Sequence, residues 1–386
     1  MVVIVAARRS PMGKFMGSLS SLSAPEIAAQ VIKGVLNDVK LKPKQIDEVI
    51  IGNVLQAGIG QNPARQAALK ARLPNTTRCV TINKVCGSGM KAIQLAVQAI
   101  ECGKSDIVIA GGMESMSKAP RLLYYGRTIK KFGNLKLSEL QLKDIAFEDS
   151  MIHDGLSCPF TKDSMGFLAE QLRKKYKIPR QQQDEFSLES HKRAANSNPK
   201  KEITTIKVKN KPTLIIDETV RPNTSLEKLK TLKPVFAKKG TITAGNASSL
   251  ADGAAILILM SNKMAKKLKL KPLAKINEFS EHSLEPKWYT LAPVETVKKL
   301  KRKKYDLIEI NEAFAIQTLA VMKALKLPKN KVNIRGGAIA LGHPIGCSGA
   351  RIVVTLIHSL IEKKKKHGLA TLCIGGGEAI AMSITI

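Results

Sequence analysis

Hydrophobic and polar positions follow a rhythm along the first hundred residues that switches between two periods. The chain opens on MVVIVAARRSPMG, a strand running into a turn. Over residues 25–39, Ile27, Ala28, Val31 and Val35 recur at the spacing of one helical face. A strand at 47–52, a polar loop at 56–62 and a helix at 64–71 follow. TTRCVTIN then reads as a strand, and Met90, Ile93, Val97 and Ile100 as the buried stripe of a further helix. A strand at 106–110 ends in GGMES. Strands alternating with helices in this way predict α/β layers.

From about residue 118 to 245 the rhythm breaks into short charged segments with dispersed prolines, within which two helical stretches stand out at 165–176 and 180–196. Core-like sequence returns in TITAGNASSLADGAAILILM, which ends in a buried strand at 254–260, and a basic helical connector spans 263–270. From Pro272 onward a second alternation copies the first. CGSGMKAIQLAVQAIECGKSDIVIAGGME is matched by GCSGARIVVTLIHSLIEKKKKHGLATLCIGGGE, and DEVIIGN by DLIEINE. Each copy has a Gly/Ser turn, an amphipathic helix, a strand, then paired glycines and a glutamate. The apolar face of the second helix is Val353, Leu356, Ile357, Leu360 and Ile361. The predicted fold is a duplicated α/β core, two similar halves of layered sheets and helices, with an inserted helical and loop subdomain. The N-terminal half covers 1–118 and is completed by 247–265, the insertion covers 119–246, and the C-terminal half covers 266–386. Strand-end loops of two such halves can meet in the crevice between them.

Composition changes this picture little. With 386 residues, 44% of them hydrophobic, the chain has the make-up of an ordinary soluble protein of two to three domains. No apolar run approaches the roughly 20 residues of a membrane span, and the start lacks the charge-then-apolar order of a signal peptide. A cytoplasmic protein without a membrane partner is expected. The six cysteines (Cys79, Cys86, Cys102, Cys158, Cys347, Cys373) are scattered, with no CxxC pair and no close histidine, which argues against a zinc site or a disulfide scaffold. Charge is the outlier: 63 basic against 31 acidic residues give +32. Such charge attracts polyanions. Yet the lysines are spread along the chain, aromatics are only 4%, and no nucleic-acid motif appears. A solvated lysine-rich surface is the reading, with no nucleic-acid partner. It is compatible with a basic rim around a phosphate-bearing small ligand.

Four stretches carry candidate chemistry. NKVCGSGM places Cys86 where a strand turns into a helix, in a turn that Gly87 and Gly89 leave open. A helix N-terminus favours a thiolate and a nearby oxyanion, although a free cysteine in a tight turn is most often just a small buried residue. GGAIALGHPIGCSGAR sets His343 among glycines that imply close backbone approach. CIGGGE puts Cys373 at a strand end, and NEAF puts Asn311 at another, where it could hold a water or a carbonyl oxygen while Glu312 caps a helix. All four are strand-end features, so all can converge on one crevice.

Together these stretches resemble the thiolase family, in the family's order and over nearly the whole chain, from VAARRSPMG to CIGGGEAIAM, with TAGNAS among them. The resemblance implies a ping-pong Claisen condensation of two acetyl-CoA to acetoacetyl-CoA plus CoA, and the reverse thiolysis, with coenzyme A thioesters as substrates and no permanently bound cofactor or metal. It implies Cys86 as the acylated nucleophile, His343 as the acceptor of its proton and Cys373 as the second acid/base. Asn311, holding a water beside His343, and the backbone amides of Cys86 and Gly375 would make two oxyanion sites. Met165, Arg221 and Ser248 would contact CoA from the insertion and its return. A homodimer or homotetramer is implied as well.

Some positions depart from the family pattern. Ser164 replaces a histidine common in acetoacetyl-CoA-forming members, Glu378 and Arg335 stand where amides are common, and Trp288 and Tyr289 fall where an acyl-pocket wall is expected. The alternative within the family is a degradative 3-ketoacyl-CoA thiolase acting on longer chains. A decarboxylating ketoacyl synthase shares the duplicated fold and the nucleophilic cysteine, but generally uses two histidines at the remaining positions, whereas this chain offers Cys373.

Overall fold

The computed structural model describes residues 1–123 and 147–386, so part of the expected insertion lies outside the described residues. Strand β1 (Val2–Arg9) is buried at almost every position, as a strand between two helical layers must be. Helix α1 (Ala24–Val39) starts at Ser23, whose amide donates to the Glu26 carboxylate at 2.9 Å in a capping box. Then come β2 (Glu48–Gly52), α2 (Pro63–Lys70), β3 (Arg78–Ile82), α3 (Ser88–Glu101) and β4 (Ile107–Ser115). The insertion supplies α4 (Met165–Tyr176) and α5 (Arg180–Ala195), and the chain returns as β5 (Ala251–Ser261). The second alternation is β6 (Ala274–Ser283), β7 (Leu307–Ile310), α6 (Ala315–Ala324), α7 (Ile345–Glu362), β8 (His367–Ile374) and β9 (Glu378–Thr385).

The strands run β3-β2-β4-β5-β1 in the first half and β7-β8-β9-β6 in the second, joined where Val3 and Ile4 pair with Lys275 and Ala274. In each half a parallel pair (β2 with β4, β7 with β8) is followed by antiparallel neighbours. The duplication extends to single hydrogen bonds. Asp47 accepts the amides of Asp106 and Ile107, both at 2.8 Å, and Asp306 accepts those of Lys366 and His367 at 3.1 and 2.8 Å. This register makes Ile107 the counterpart of His367, and it corrects the glycine match read from sequence. Gly111 and Gly112 lie inside β4, where a Cβ on either would come within 2.0 Å of a carbonyl oxygen, of Ala255 and Gly346 respectively. Gly376 and Gly377 instead form a turn after β8, with φ of 87° and 102°. The two glycine pairs are not equivalent.

Apolar residues of α3 and α7 fill a central core with the inner faces of both halves, while α1 and α2 cover the outer face of the first half. The two central helices touch backbone to backbone: a Cβ on Gly89 would sit 2.7 Å from the Ala350 nitrogen, and one on Gly349 2.6 Å from that of Met90. Among the described residues α7 alone is long and apolar enough to cross a membrane, and it is a buried core helix.

Candidate active site

The turn between β3 and α3 is opened by Val85 and not by its glycines. Val85 takes a left-handed φ of 46°, while Gly87 has an ordinary φ of −79°. A β-branched residue in that region costs about 1–3 kcal/mol and persists only when its surroundings force it. Here the Asn83 side chain accepts the Val85 amide at 2.9 Å, and the Ser88 hydroxyl donates to the Val85 carbonyl at 2.6 Å while accepting the Lys84 amide at 2.8 Å. Gly87 serves a different need: a Cβ there would lie 2.4 Å from Ile374 of the second half. The strained turn presses Cys86 against the strand end that carries Cys373.

Cys86 opens onto a cavity, yet dense packing around its sulfur pushes the thiol up to about 11 by desolvation, with the Gly375 and Cys86 amides pulling the other way. The expectation that a helix N-terminus favours the thiolate is therefore overturned: burial wins and Cys86 rests as a thiol. Burial also raises the Cys373 thiol well above its ordinary value, with the neighbouring Cys86 adding to it. His343 moves the opposite way, down to about 4, by burial first and then by the Arg351 charge. The resting site is thus two thiols and a neutral imidazole.

The imidazole tautomer follows from its partners. The Ser348 hydroxyl donates to the Pro344 carbonyl at 2.9 Å, so at 2.6 Å from His343 Nδ1 it acts as the acceptor of an Nδ1–H. Nε2 is left with its lone pair, 3.3 Å from the Asn311 amide nitrogen. The His343 amide donates to the carbonyl of Ser249, the residue that follows TAGNAS, at 2.8 Å, and the Ser248 amide ties TAGNAS itself to Ala313 of NEAF at 3.0 Å. Ser348 was not singled out from sequence. Its place one helical turn after Pro344 is the signal that could have found it.

Cys86, His343 and Cys373 all line one cavity of about 290 Å³, with Met116, Leu156, Ser164, Met165, Phe236, Ser248 and Tyr289 among its walls. Asn311 reaches it through His343, and its buried Oδ1 has no hydrogen-bond partner among the described residues. Arg221 lies outside this cavity. It lines a second chamber of about 620 Å³ with Lys14 and Thr219, and the two spaces share Leu156, Phe236 and Ala247–Leu250. Ser164 is more than an absent histidine: it caps α4, accepting the Phe167 amide at 3.2 Å. Trp288 is not a cavity wall. Residues 286–291 form a tight 3₁₀ turn with non-helical angles at Trp288, which sends adjacent side chains to opposite sides. Tyr289 faces inward and donates to the Met165 carbonyl at 2.8 Å, whereas the indole lies under the Lys175 ammonium at 4.4 Å. The other two departures are structural, Arg335 pairing with Glu202 at 2.9 Å and Glu378 with Lys84 at 2.9 Å.

Behind the outer chamber, His191 accepts the Arg221 amide on Nδ1 at 3.1 Å, and burial holds it at about 4, with Arg221 adding. In the unfolded chain it titrates near 6.5. Folding thus favours the neutral ring, and the stability this gives above pH 6.5 is lost as pH falls towards 4. Glu114 and Glu309, raised by burial to about 7 and about 8, act with the opposite sign, so a single melting curve mixes both effects. His191→Gln separates them. Its destabilisation relative to the parent protein should shrink by about 2–3 kcal/mol between pH 6.5 and 4 in denaturant unfolding. A difference independent of pH would contradict the assignment.

A family model described as the thiolase N-terminal domain matches residues 2–263, and the thiolase C-terminal domain matches 270–386. A "Probable acetyl-CoA acyltransferase" of Staphylococcus aureus (strain bovine RF122 / ET3-1) is 48% identical over 398 aligned positions, covering 100% of this chain and 98% of the relative. Among solved structures, a Bacillus anthracis acetyl-CoA acetyltransferase superposes with a TM-score of 0.93 at 40% identity, and a human mitochondrial 3-ketoacyl-CoA thiolase with 0.93 at 39%. Each covers 100% of this chain and is itself covered to 98%.

Proposed function

Because the chain belongs to the thiolase family of acyltransferases, we propose that it condenses two acetyl-CoA into acetoacetyl-CoA plus CoA, and runs the reverse thiolysis, through an acyl group on Cys86. The observation that carries this reading is the small, mainly apolar cavity on which two thiols and an imidazole open together. Carbon–carbon bond formation needs a thiol that attacks and leaves well, plus a separate base for carbon, and these three groups supply both.

The protons balance over one cycle. Cys86 sulfur attacks the acetyl-CoA carbonyl as its proton passes to His343 Nε2. The departing CoA sulfur takes the proton of Cys373, leaving acyl-Cys86, an imidazolium and a Cys373 thiolate. That thiolate removes an α-proton from the second acetyl-CoA. The enolate carbon attacks the acyl carbonyl, the Cys86–carbon bond breaks, and Cys86 recovers its proton from His343. Once protonated, His343 Nε2–H can also donate to the enolate oxygen beside Asn311. The amides of Cys86 and Gly375 serve the tetrahedral oxygen. Met165 and Ser248 line the path of the thioester arm, while Arg221 and Lys14 suit its phosphates.

Chain length separates the two family readings. The Phe236 ring packs directly on Gly166 and edge-on to Phe314, with centroids 5.8 Å apart, and with Tyr289 it walls the catalytic cavity of about 290 Å³. Overpacking such a wall costs about 1–3 kcal/mol, so kcat/KM should fall about 5- to 150-fold from acetoacetyl-CoA to 3-ketohexanoyl-CoA in side-by-side thiolysis assays. A preference for the six-carbon substrate would move the protein to the degradative class. Oligomerisation is the remaining proposal. Strand β3 is a sheet edge with Val80 40% exposed, and a second copy covering it would give the homodimer, or the dimer of dimers.

A further inference from the structure

His343 rides on a segment that runs from Gly336 through a short helical turn (Ala338–Leu341) into the first turn of α7, and in it Gly336 and Gly342 hold left-handed φ of 75° and 90°. Two buried carboxylates that the proton cycle does not use grip this segment at its two ends. At its start, Glu312 Oε2 accepts the Ile339 amide at 3.2 Å and the Ser190 hydroxyl at 2.7 Å, and that hydroxyl oxygen in turn accepts the Gly337 amide at 3.0 Å. Glu312 Oε1 accepts the Asn333 side-chain amide at 2.9 Å, which is bonded in turn to the Ile310 backbone at 2.8 Å. The segment closes so tightly that a Cβ on Gly337 would lie 2.2 Å from the Glu312 carboxyl carbon. At its end, Glu114 Oε2 accepts the Gly346 amide at 2.9 Å and the Val54 amide at 3.0 Å. Glu114 Oε1 accepts the Asn53 side-chain amide at 2.6 Å and the Leu55 amide at 3.2 Å.

Glu114 ends β4 in the half that presents Cys86, whereas Glu312 follows β7 in the half that presents Asn311. The segment between them therefore takes its position from both halves at once. Both carboxyl groups are essentially inaccessible; burial raises Glu114 to about 7 and Glu312 above its ordinary value, while the N–H and O–H donors on their oxygens pull the other way. Four N–H groups converge on Glu114 alone. A glutamine there would have to turn its own N–H₂ against two of them.

We propose that Glu114 and Glu312 are positioning residues, a two-ended clamp that fixes His343 against Cys86 and Asn311 across the junction of the duplicated halves. The consequence for rate rests on the acyl-transfer reading, but the clamp itself does not. A displacement of about 1 Å in a catalytic group costs on the order of 10²-fold in rate. Glu114→Gln and Glu312→Gln should therefore each lower kcat for thiolysis about 10- to 100-fold, with KM for CoA within about twofold of the parent.

The test combines those kinetics with amide hydrogen exchange read by mass spectrometry, which needs no substrate. Peptides covering 337–346 should exchange about tenfold faster or more in both variants, while α1 and β1 keep native protection. The swap Asn53→Asp with Glu114→Gln returns the charge to the same contact, and should recover at least half of the lost protection and of the lost log kcat. Native exchange over 337–346 in both single variants overturns the clamp. Parental kcat in a Glu114→Gln protein with a loosened segment removes the positioning role. If Glu114→Gln does not fold, Glu312→Gln and the swap decide by the same readouts. A parent protein inactive on acetoacetyl-CoA would sink the proposed function while the exchange result still judges the clamp.

Discussion

Cys86→Ala should take up no acetyl group from acetyl-CoA, and its thiolysis of acetoacetyl-CoA should fall by about 10⁴- to 10⁶-fold, the scale on which loss of a nucleophile is felt. Intact mass after removal of free ligand reads the first effect and a thiolysis assay the second. No other thiol is set to replace it. Cys373 lies on the same cavity but is deeply buried, and its thiol is raised further by burial than its surroundings can offset. The resting state matters here. Burial holds Cys86 up at about 11 and His343 down at about 4, which disfavours a thiolate–imidazolium pair before substrate arrives. Proton transfer must accompany carbon–sulfur bond formation. Alkylation of the free enzyme by iodoacetamide at pH 7 should accordingly be slow for a catalytic cysteine. An acetyl adduct persisting in Cys86→Ala would mean that the nucleophile is misassigned.

Cys373→Ala should divide the reaction in two. CoA thiolate is an adequate leaving group unaided, and His343 alone takes the Cys86 proton, so the variant should still become acetylated. It should condense acetyl units about 10²- to 10⁴-fold more slowly, the usual worth of a positioned general base. Incorporation of deuterium from D₂O into the acetyl methyl group isolates the carbon-acid step and should fall by the same factor. Equal loss of acetylation and condensation in a folded variant would contradict the division of labour.

Much of this site is legible in the sequence. The copied pattern of Gly/Ser turn, helix and strand was visible because both halves bury the same faces, and the Asp47 and Asp306 carboxylates repeat one hydrogen-bond pair. The converging cysteines and histidine were legible as strand-end residues. What escaped depended on contacts between segments far apart in the chain. Nothing in NKVCGSGM says that Val85 bears the left-handed conformation, because Asn83 and Ser88 impose it against its own preference. Glycines 87, 89, 111 and 112 look like turn formers and prove to be sites of close approach, which only the packed partner reveals. Family resemblance puts both Trp288 and Tyr289 at the pocket wall, yet adjacent residues in a 3₁₀ turn point apart, and no periodicity marks that Tyr289 alone faces in. The Cys86 thiol was expected to favour ionisation from its place at a helix end, but desolvation in the assembled site is the larger effect.

The division of labour between Cys86 with His343 and Cys373 is tested most directly by isotope exchange between labelled CoA and acetyl-CoA with no condensation product present. A ping-pong enzyme exchanges the label through acyl-Cys86 alone. The account predicts exchange in the parent protein and in Cys373→Ala, slowed by no more than about tenfold in the latter, and none in Cys86→Ala. Exchange that survives in Cys86→Ala, or that vanishes in a folded Cys373→Ala, would contradict it.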